Sequence, residues 1–329
     1  MPRAIVLRAP GAADVLRIEA VTVADPGAGE IRLRQLAIGV NFHDVYVRSG
    51  LYQTLPLPGI PGIEGVGVVE AVGPDVTNVA VGDRVGYISP QYGAYAGVRL
   101  LPAAQALPLP SSLSDAAAAS VLLKGLTAEM LLRRVHRVEA GQAVLVHAAA
   151  GGVGRLLCQW GAALGATVIG TVGSEAKAAV ALAAGASHAI LYRDQDVAAE
   201  VRRLTGGRGV DVAYDSVGAT TFDGSLDSLA TFGHLVNFGQ SSGPVPPFAV
   251  ARLSPKSASL TRPLIFHYLA DAARRAEMAA ALFAVLESGA VTAEVARTFP
   301  LSDTAGAHAL LESRDLAGPI VLLPEPADL

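Results

Sequence analysis

An α/β chain in two domains is predicted, from three observations. An apolar run ends in a glycine turn at Val144-Leu-Val-His-Ala-Ala-Ala-Gly-Gly-Val-Gly154, and an Ala-rich helical pattern follows from Arg155 to Leu164. Beyond that turn, apolar strands alternate with helices, whereas the first ~120 residues read as short strands punctuated by Pro and Gly. At 329 residues the chain is long for one domain and comfortable for two.

Taken in order, the early segments Ala4 to Leu7, Glu30 to Ile38, Gly65 to Val72 and Arg84 to Ile88 alternate as strands do. Turns such as Pro56-Leu-Pro-Gly-Ile-Pro-Gly62 separate them, which predicts a partly open barrel. Near Ser112 the pattern changes to a helix that runs from Ser114-Asp-Ala-Ala-Ala-Ala-Ser to Leu132, with an Asp close to its N-cap. Then come strands over Ala143 to His147, Thr167 to Val172, Ala189 to Leu191, Val210 to Asp215 and Gly233 to Phe238. Helices between them imply a parallel sheet with right-handed crossovers. After Ala270 a helix extends to Ser288, and Gly318-Pro-Ile-Val-Leu-Leu323 reads as a last strand that returns to the N-terminal domain.

Strand, glycine turn and helix make up a dinucleotide-binding crossover. Gly151 and Gly152 let the backbone turn tightly and approach a pyrophosphate, and Gly154 lets the helix pack on its strand. The phosphates then sit at the helix N-terminus, where unpaired N–H groups point outward. The second strand ends in Val172, Gly173 and Ser174, roughly 20 residues on, where a dinucleotide fold meets the adenosine ribose. A site for NADH usually has a carboxylate there. A hydroxyl at Ser174 and an ammonium at Lys177 suit a 2′-phosphate instead, and one turn of helix directs Glu175 away, so NADPH is the expected cofactor. Lys177 is one of only three lysines against 22 arginines.

Hydrophobic residues make up 51% and charged residues 16% of the chain, the balance of a globular protein. A net charge of −4 leaves no basic footprint for nucleic acid, and no Lys/Arg run marks a membrane surface. Apolar stretches break well short of the ~20 residues that span a bilayer, and the N-terminus lacks a signal-peptide core, so a soluble, cytoplasmic protein is expected. The single cysteine, Cys158, excludes an intrachain disulfide and Cys-rich metal sites, and is read as a packing residue.

Asn41-Phe-His-Asp44, Arg48-Ser-Gly-Leu-Tyr52, Leu123-Lys-Gly-Leu-Thr127, His147 to Gly154, Tyr214-Asp-Ser-Val-Gly218 and Phe238-Gly-Gln-Ser-Ser-Gly243 together resemble the NADPH:quinone oxidoreductases. These, with zeta-crystallin, are the zinc-independent branch of the medium-chain dehydrogenase/reductases. The resemblance runs to Glu312-Ser-Arg314 and implies a GroES-like, partly open β-barrel catalytic domain beside a Rossmann domain. It places the catalytic domain at 1–124, the NADPH domain at 125–265 and a C-terminal segment returning to the catalytic domain at 266–329.

The resemblance also implies site roles. Asn41, Phe42 and Asp44 line the nicotinamide side, and Lys124 and Thr127 reach the cofactor from the following helix. Gly152 and Val153 sit at the pyrophosphate, Ser174 and Lys177 at the 2′-phosphate, and Tyr192 along the adenosine. Val217, Phe238 and Ser241 occupy loops at strand carboxyl ends, and Leu264 and Phe266 close the nicotinamide pocket. Zinc-dependent relatives have a Cys near the position of His43 and a Gly-His-Glu where this chain has Gly62-Ile-Glu64; with two ligands missing, no metal is expected. Tyr46 and Tyr52 are the candidates to orient an acceptor oxygen or pass it a proton. His43 and Asp44, adjacent on an extended segment, point apart and form no dyad.

Hydride transfer without a Lewis acid suits an acceptor that is already electrophilic, so quinone reduction is the leading expectation. Reduction of an α,β-unsaturated carbonyl, as an enone or enoyl thioester, is the enzyme alternative. A non-catalytic NADPH-binding redox sensor is the other. The segment Ser257-Ala-Ser-Leu-Thr-Arg-Pro263 reads as an edge strand on which a homodimer forms.

Overall fold

A computed structural model describes residues 1–329, and its contacts divide the chain into two compact units, Met1–Leu123 with Ala293–Leu329, and Lys124–Thr292. In the first unit β1 (Arg3–Val6) and β2 (Arg17–Ala20) form an antiparallel pair. The long β3 (Glu30–Val40) buries alternate residues through Ala37, as a strand with one face on a core does, and every residue from there to Val40. Behind it comes α1 (Phe42–Arg48), and then β4 (Glu64–Val72), β5 (Arg84–Ile88), β6 (Val98–Pro102), β7 (Leu107–Pro108) and α2 (Asp115–Glu129). Strand β3 pairs with β4 along one edge, while residues 30–34 of its other edge take β6. The core of this unit gathers Ile31, Leu33, Ile38, Tyr87, Tyr95 and Leu101.

The second unit begins within α2, which runs on as a wider π-helical turn over Met130–Val135. Its strands are β8 (Ala143–Val146), β9 (Thr167–Val172), β10 (His188–Leu191), β11 (Val210–Asp215), β12 (Leu229–Asn237) and β13 (Ser259–Thr261). All pair in parallel in the order β10-β9-β8-β11-β12-β13, the doubly wound sheet that the strand and helix alternation predicts. Between strands lie α3 (Gly152–Ala163), α4 (Glu175–Ala183), α5 (Val197–Leu204) and α6 (Phe222–Ser228), followed after β13 by α7 (Ile265–Leu269) and α8 (Ala272–Glu287). Leu145, Ile169, Ala213 and Leu235 form the core where the sheet meets its helices.

The chain returns to the first unit with β14 (Arg297–Pro300), α9 (Thr304–Ser313) and β15 (Ile320–Leu323). Strand β15 pairs antiparallel with residues 38–40 of β3, the return that the apolar run at 318–323 predicts. The return starts at Ala293, however, so residues 266–292, expected to go with the C-terminal segment, stay with the central unit. Helix α8 buries Met278, Ala279 and Leu282, and Leu282 lies against Gly125 in the same unit, which keeps it there.

Two local differences have plain causes. Helix α3 starts at Gly152 instead of Arg155 because Gly151 takes the extended N-cap conformation. His43 and Asp44, expected on an extended segment, lie in the helix 42–48, where Asp44 at the third helical position accepts a hydrogen bond from the Asn41 N–H at 2.9 Å, a capping-box contact.

Candidate functional site

In the central unit the glycine turn is shaped by close approach. A Cβ at Gly154 would lie 2.2 Å from the Ala148 carbonyl oxygen, so only glycine lets α3 seat on the end of β8. At Gly152 a Cβ would come within 2.9 Å of Lys124 Cδ, which brings the buried Lys124 side chain to the start of α3. Thr127 is further along α2, and Val153 follows Gly152 in the first turn of α3.

The second cluster forms at the carboxyl end of β9. Ser174 is the N-cap of α4 and accepts from the Lys177 N–H at 3.4 Å. A Cβ on Gly173 would meet Tyr192 Oη at 2.8 Å and Arg193 Nε at 3.4 Å. Tyr192 and Arg193 thus lie against Gly173, and Ser174 and Lys177 are one helical turn apart at the start of α4. Arg193 was missed, since a lone arginine after a short strand has no sequence signal.

Buried polar groups hold the remaining loops of this unit. Asp215, at the end of β11, accepts from the Val217 N–H at 2.8 Å, the Gly218 N–H at 3.0 Å and Thr221 Oγ1 at 2.8 Å. The next loop leans on it, since the Phe238 N–H donates to the Asp215 carbonyl at 2.8 Å and the Ser241 N–H to that of Ser216 at 3.3 Å. His147 sits below the glycine turn, its Nδ1 3.0 Å from Thr171 Oγ1 and its Nε2 2.8 Å from Ser225 Oγ. Ser225 Oγ donates to the Thr221 carbonyl at 2.8 Å, which leaves its oxygen to accept from His147 Nε2–H. Burial lowers the His147 pKa, against the opposing pull of Asp215, and so favours the neutral ring. Leu264 is the N-cap of α7 and Phe266 lies in its first turn.

In the first unit α1 turns Phe42, His43 and Tyr46 to its less buried side, while Asp44, Val45, Val47 and Arg48 are buried. The ring of Tyr52 meets Tyr46 edge-on at 5.1 Å and His43 at 5.4 Å, and Tyr92 stacks on His43 at 5.9 Å. Tyr92 Oη is 2.9 Å from His43 Nε2 and 2.6 Å from Thr54 Oγ1. Burial pushes the His43 pKa down to about 4, so the ring is neutral at physiological pH. The two predicted tyrosines thus belong to a larger aromatic cluster with His43 and Tyr92; neither Tyr92 nor its hydrogen-bond partner Thr54 carries a motif.

Asp44 is wholly buried and accepts from both the Asn41 N–H and Tyr95 Oη, each at 2.9 Å. It thereby supports Asn41, the N-cap of α1, from the protein side. Asn41 Nδ2 donates to Glu64 Oε2 at 2.9 Å, and Glu64 Oε1 accepts from the Leu123 N–H at 2.6 Å. His43 and Asp44 form no dyad, but the reason is helical: successive residues leave a helix about 100° apart.

The family described as "Alcohol dehydrogenase GroES-like domain" matches residues 27–111, and that described as "Zinc-binding dehydrogenase" matches 152–283. A 2-haloacrylate reductase of Burkholderia sp is 43% identical over 332 residues, covering 99% of this chain and 100% of that protein. The quinone oxidoreductase of Pseudomonas aeruginosa is 44% identical, covering 98% and 100%. The crystal structure of Escherichia coli quinone oxidoreductase complexed with NADPH superposes with a TM-score of 0.96 at 42% identity, covering 98% of this chain and 100% of that one.

The residues do not fit a zinc ion. No three His, Cys, Asp or Glu side chains are grouped to hold one. His43 is bonded to Tyr92, Glu64 is bonded to Asn41 and the Leu123 N–H, and the only thiol, Cys158, is buried in the other unit.

Proposed function

The chain belongs to the quinone oxidoreductase family of medium-chain dehydrogenase/reductases, and from that footing we propose that it reduces quinones with NADPH by direct hydride transfer, without metal. The observation that carries the cofactor is the end of β9, where Ser174 caps α4, Lys177 lies in the first turn of that helix and Tyr192 comes against Gly173, with no carboxylate in the strand's last residues. The hydroxyl of Ser174 and the ammonium of Lys177 match a 2′-phosphate on the adenosine ribose, and Tyr192 is assigned to the adenosine. In the central unit Gly152 and Val153 are assigned to the pyrophosphate, Lys124 and Thr127 to the cofactor, and Val217, Phe238, Ser241, Leu264 and Phe266 to its nicotinamide end; in the first unit the family resemblance assigns Asn41 and Phe42 to the nicotinamide.

Bound NADPH supplies the hydride. The protein supplies orientation, exclusion of water and the proton that completes the hydroquinone. Tyr46 and Tyr52 hold the acceptor oxygen and give it a proton, with a neutral His43 behind them. An uncharged, ring-rich cluster favours a flat neutral acceptor. The nearby cation, Arg48, is already committed to Glu312 at 2.7 and 2.8 Å. The 43% identity to a 2-haloacrylate reductase supports a second reading, reduction of an activated carbon–carbon double bond.

Steady-state assays with 1,4-benzoquinone, 1,2-naphthoquinone, an enone, an enoyl thioester and 2-chloroacrylate separate the readings. NADPH oxidation with the quinones supports the proposal. Turnover confined to the conjugated carbonyls moves the assignment to the second reading, and NADPH binding with no acceptor turnover leaves a redox sensor. A homodimer belongs to the same proposal: β13 is an edge strand, and on the neighbouring β12 Phe232 is 79% exposed. Sedimentation at micromolar concentration tests it, monomer alone being the refuting result. A cytoplasmic setting fits a chain whose one cysteine is free.

A further inference from the structure

We propose that His308 is a positioning residue that fixes α1, and with it the aromatic cluster, by joining the anchors at the two ends of that helix. Seven residues make barely two turns, too few to hold a helix in place without tertiary support. At its start Asp44 accepts from the Asn41 N–H and from Tyr95 Oη. At its end Arg48 grips both carboxylate oxygens of Glu312 and donates from Nε to the Gly11 carbonyl at 3.1 Å. His308 stands between these anchors, with Nε2 2.9 Å from Tyr95 Oη and Nδ1 3.3 Å from Arg48 Nη1.

Only one arrangement of protons satisfies this chain. Arg48 can only donate, so His308 Nδ1 accepts and carries no proton. Tyr95 spends its single proton on Asp44, so the bond to His308 is donated by Nε2–H. The ring is therefore the neutral Nε2–H tautomer, in keeping with a pKa pushed down to about 3 by burial and by Arg48. Asp44, Tyr95 and His308 are all fully buried, so water cannot replace a lost link. His308 and Glu312 are one turn apart on α9, which makes the C-terminal helix the clamp of α1. The side of α1 away from this clamp carries Phe42, His43 and Tyr46.

The consequence for catalysis rests on the reading that the tyrosine cluster receives the acceptor. The variants are His308→Leu, His308→Gln and Tyr95→Phe, the last keeping its ring if the first does not fold. The readouts are hydrogen exchange of the α1 amides, KM and kcat with 1,4-benzoquinone, and NADPH affinity by fluorescence. His308→Leu and Tyr95→Phe are expected to raise exchange in α1 and to raise quinone KM about tenfold, with a smaller loss of NADPH affinity because Asn41 and Phe42 lie at the start of the same helix. Glutamine can donate from Nε2 and accept at Oε1, so His308→Gln is expected to recover most of the quinone KM. Wild-type exchange in α1, exchange raised evenly through both units, or no rescue by glutamine would overturn the role of His308. Tyr46→Ala separates the two readings. If it leaves quinone KM unchanged, the acceptor site fails, while faster α1 exchange in His308→Leu still upholds the clamp. If quinone KM rises for Tyr46→Ala but not for His308→Leu, the clamp fails.

Discussion

Replacing Gly154 with alanine tests the glycine turn at its tightest point. The added methyl carbon would sit 2.2 Å from the Ala148 carbonyl oxygen and 2.9 Å from Ala148 C and Ala149 Cα, where ordinary contact is 3.4–4 Å. About 1.2 Å must open between backbone atoms, which have no rotamer to turn aside. The opposing loop has little slack, because Ala148 already holds a left-handed φ of 51° and its oxygen accepts from the Gly151 N–H at 2.8 Å. Overpacking of this kind costs about 1 to 3 kcal/mol, and opposed backbones place Gly154→Ala near 3. At about 2 to 4 °C per kcal/mol for a domain of this size, Tm falls by roughly 6 to 12 °C. Moving the α3 N-terminus by ~1 Å also stretches its N–H groups beyond hydrogen-bonding range of a phosphate. Loss of one or two such bonds weakens NADPH by about 10- to 100-fold. Thermal unfolding by circular dichroism and fluorescence titration with NADPH read both effects. Gly224→Ala is the control: it lies in α6 with nothing within 4 Å of its added carbon, and is expected to be neutral or stabilising by up to about 1 kcal/mol. A Gly154→Ala protein with unchanged NADPH affinity and a Tm within about 2 °C of the parent would refute the reasoning.

Lys177→Ala is expected to weaken NADPH by about 1.5 to 3 kcal/mol, or roughly 10- to 150-fold, and NADH hardly at all; equal losses in parallel titrations would remove the 2′-phosphate assignment. His43 and His308 titrate near 4 and 3 in the fold against 6.5 for a free imidazole, so below pH 6.5 the unfolded chain binds more protons. The stability they contribute is full above pH 6.5 and drains away as pH falls towards 4 and then 3, at roughly 1.4 kcal/mol per pH unit for each group. Urea midpoints measured from pH 7 to 4 check this, and the His308→Gln, His43→Gln double variant is expected to lose less stability over that range than the parent, the remainder coming from the other histidines whose pKa burial lowers, His136, His147 and His234. Burial pushes the Cys158 thiol up to about 12, so an aromatic disulfide reagent should titrate one thiol only after denaturation. Prompt reaction of the native protein would show that α3 opens.

The central sheet was legible because each of its longer strands is a local pattern. Thr167–Val172 and Val210–Asp215 begin and end where their apolar runs do. The cluster at Gly173 was also within reach, since Ser174 and Lys177 lie one helical turn apart and Tyr192 closes the next strand. Helix α1 was not read, although Asn41 followed by Asp44 is a capping signal, because its aromatic and β-branched residues have weak helix propensity. Nothing local could have paired Tyr95 with His308 or His43 with Tyr92. Those contacts join residues 213 and 49 positions apart and exist only once the barrel has formed. Residues 266–292 were misassigned for a similar reason: the packing of Leu282 on Gly125, not any composition shift, decides which unit owns α8.

The pairing of β15 with β3 also sets an order of events during synthesis. Residues 30–34 of β3 find their edge partner in β6, within the first third of the chain, but residues 38–40 must wait for residues 320–322. At about 5 to 20 residues per second, the ribosome needs roughly 15 to 60 s to supply the missing strand. The unit spanning Lys124–Thr292 is contiguous and complete before then, so it can fold first. Meanwhile Ile38, Gly39 and Val40, all buried in the finished protein, present an open strand edge to every other nascent chain. Yield in the cell then depends on how well chaperones shield three residues for under a minute, a hazard to which the stability of the finished fold is blind.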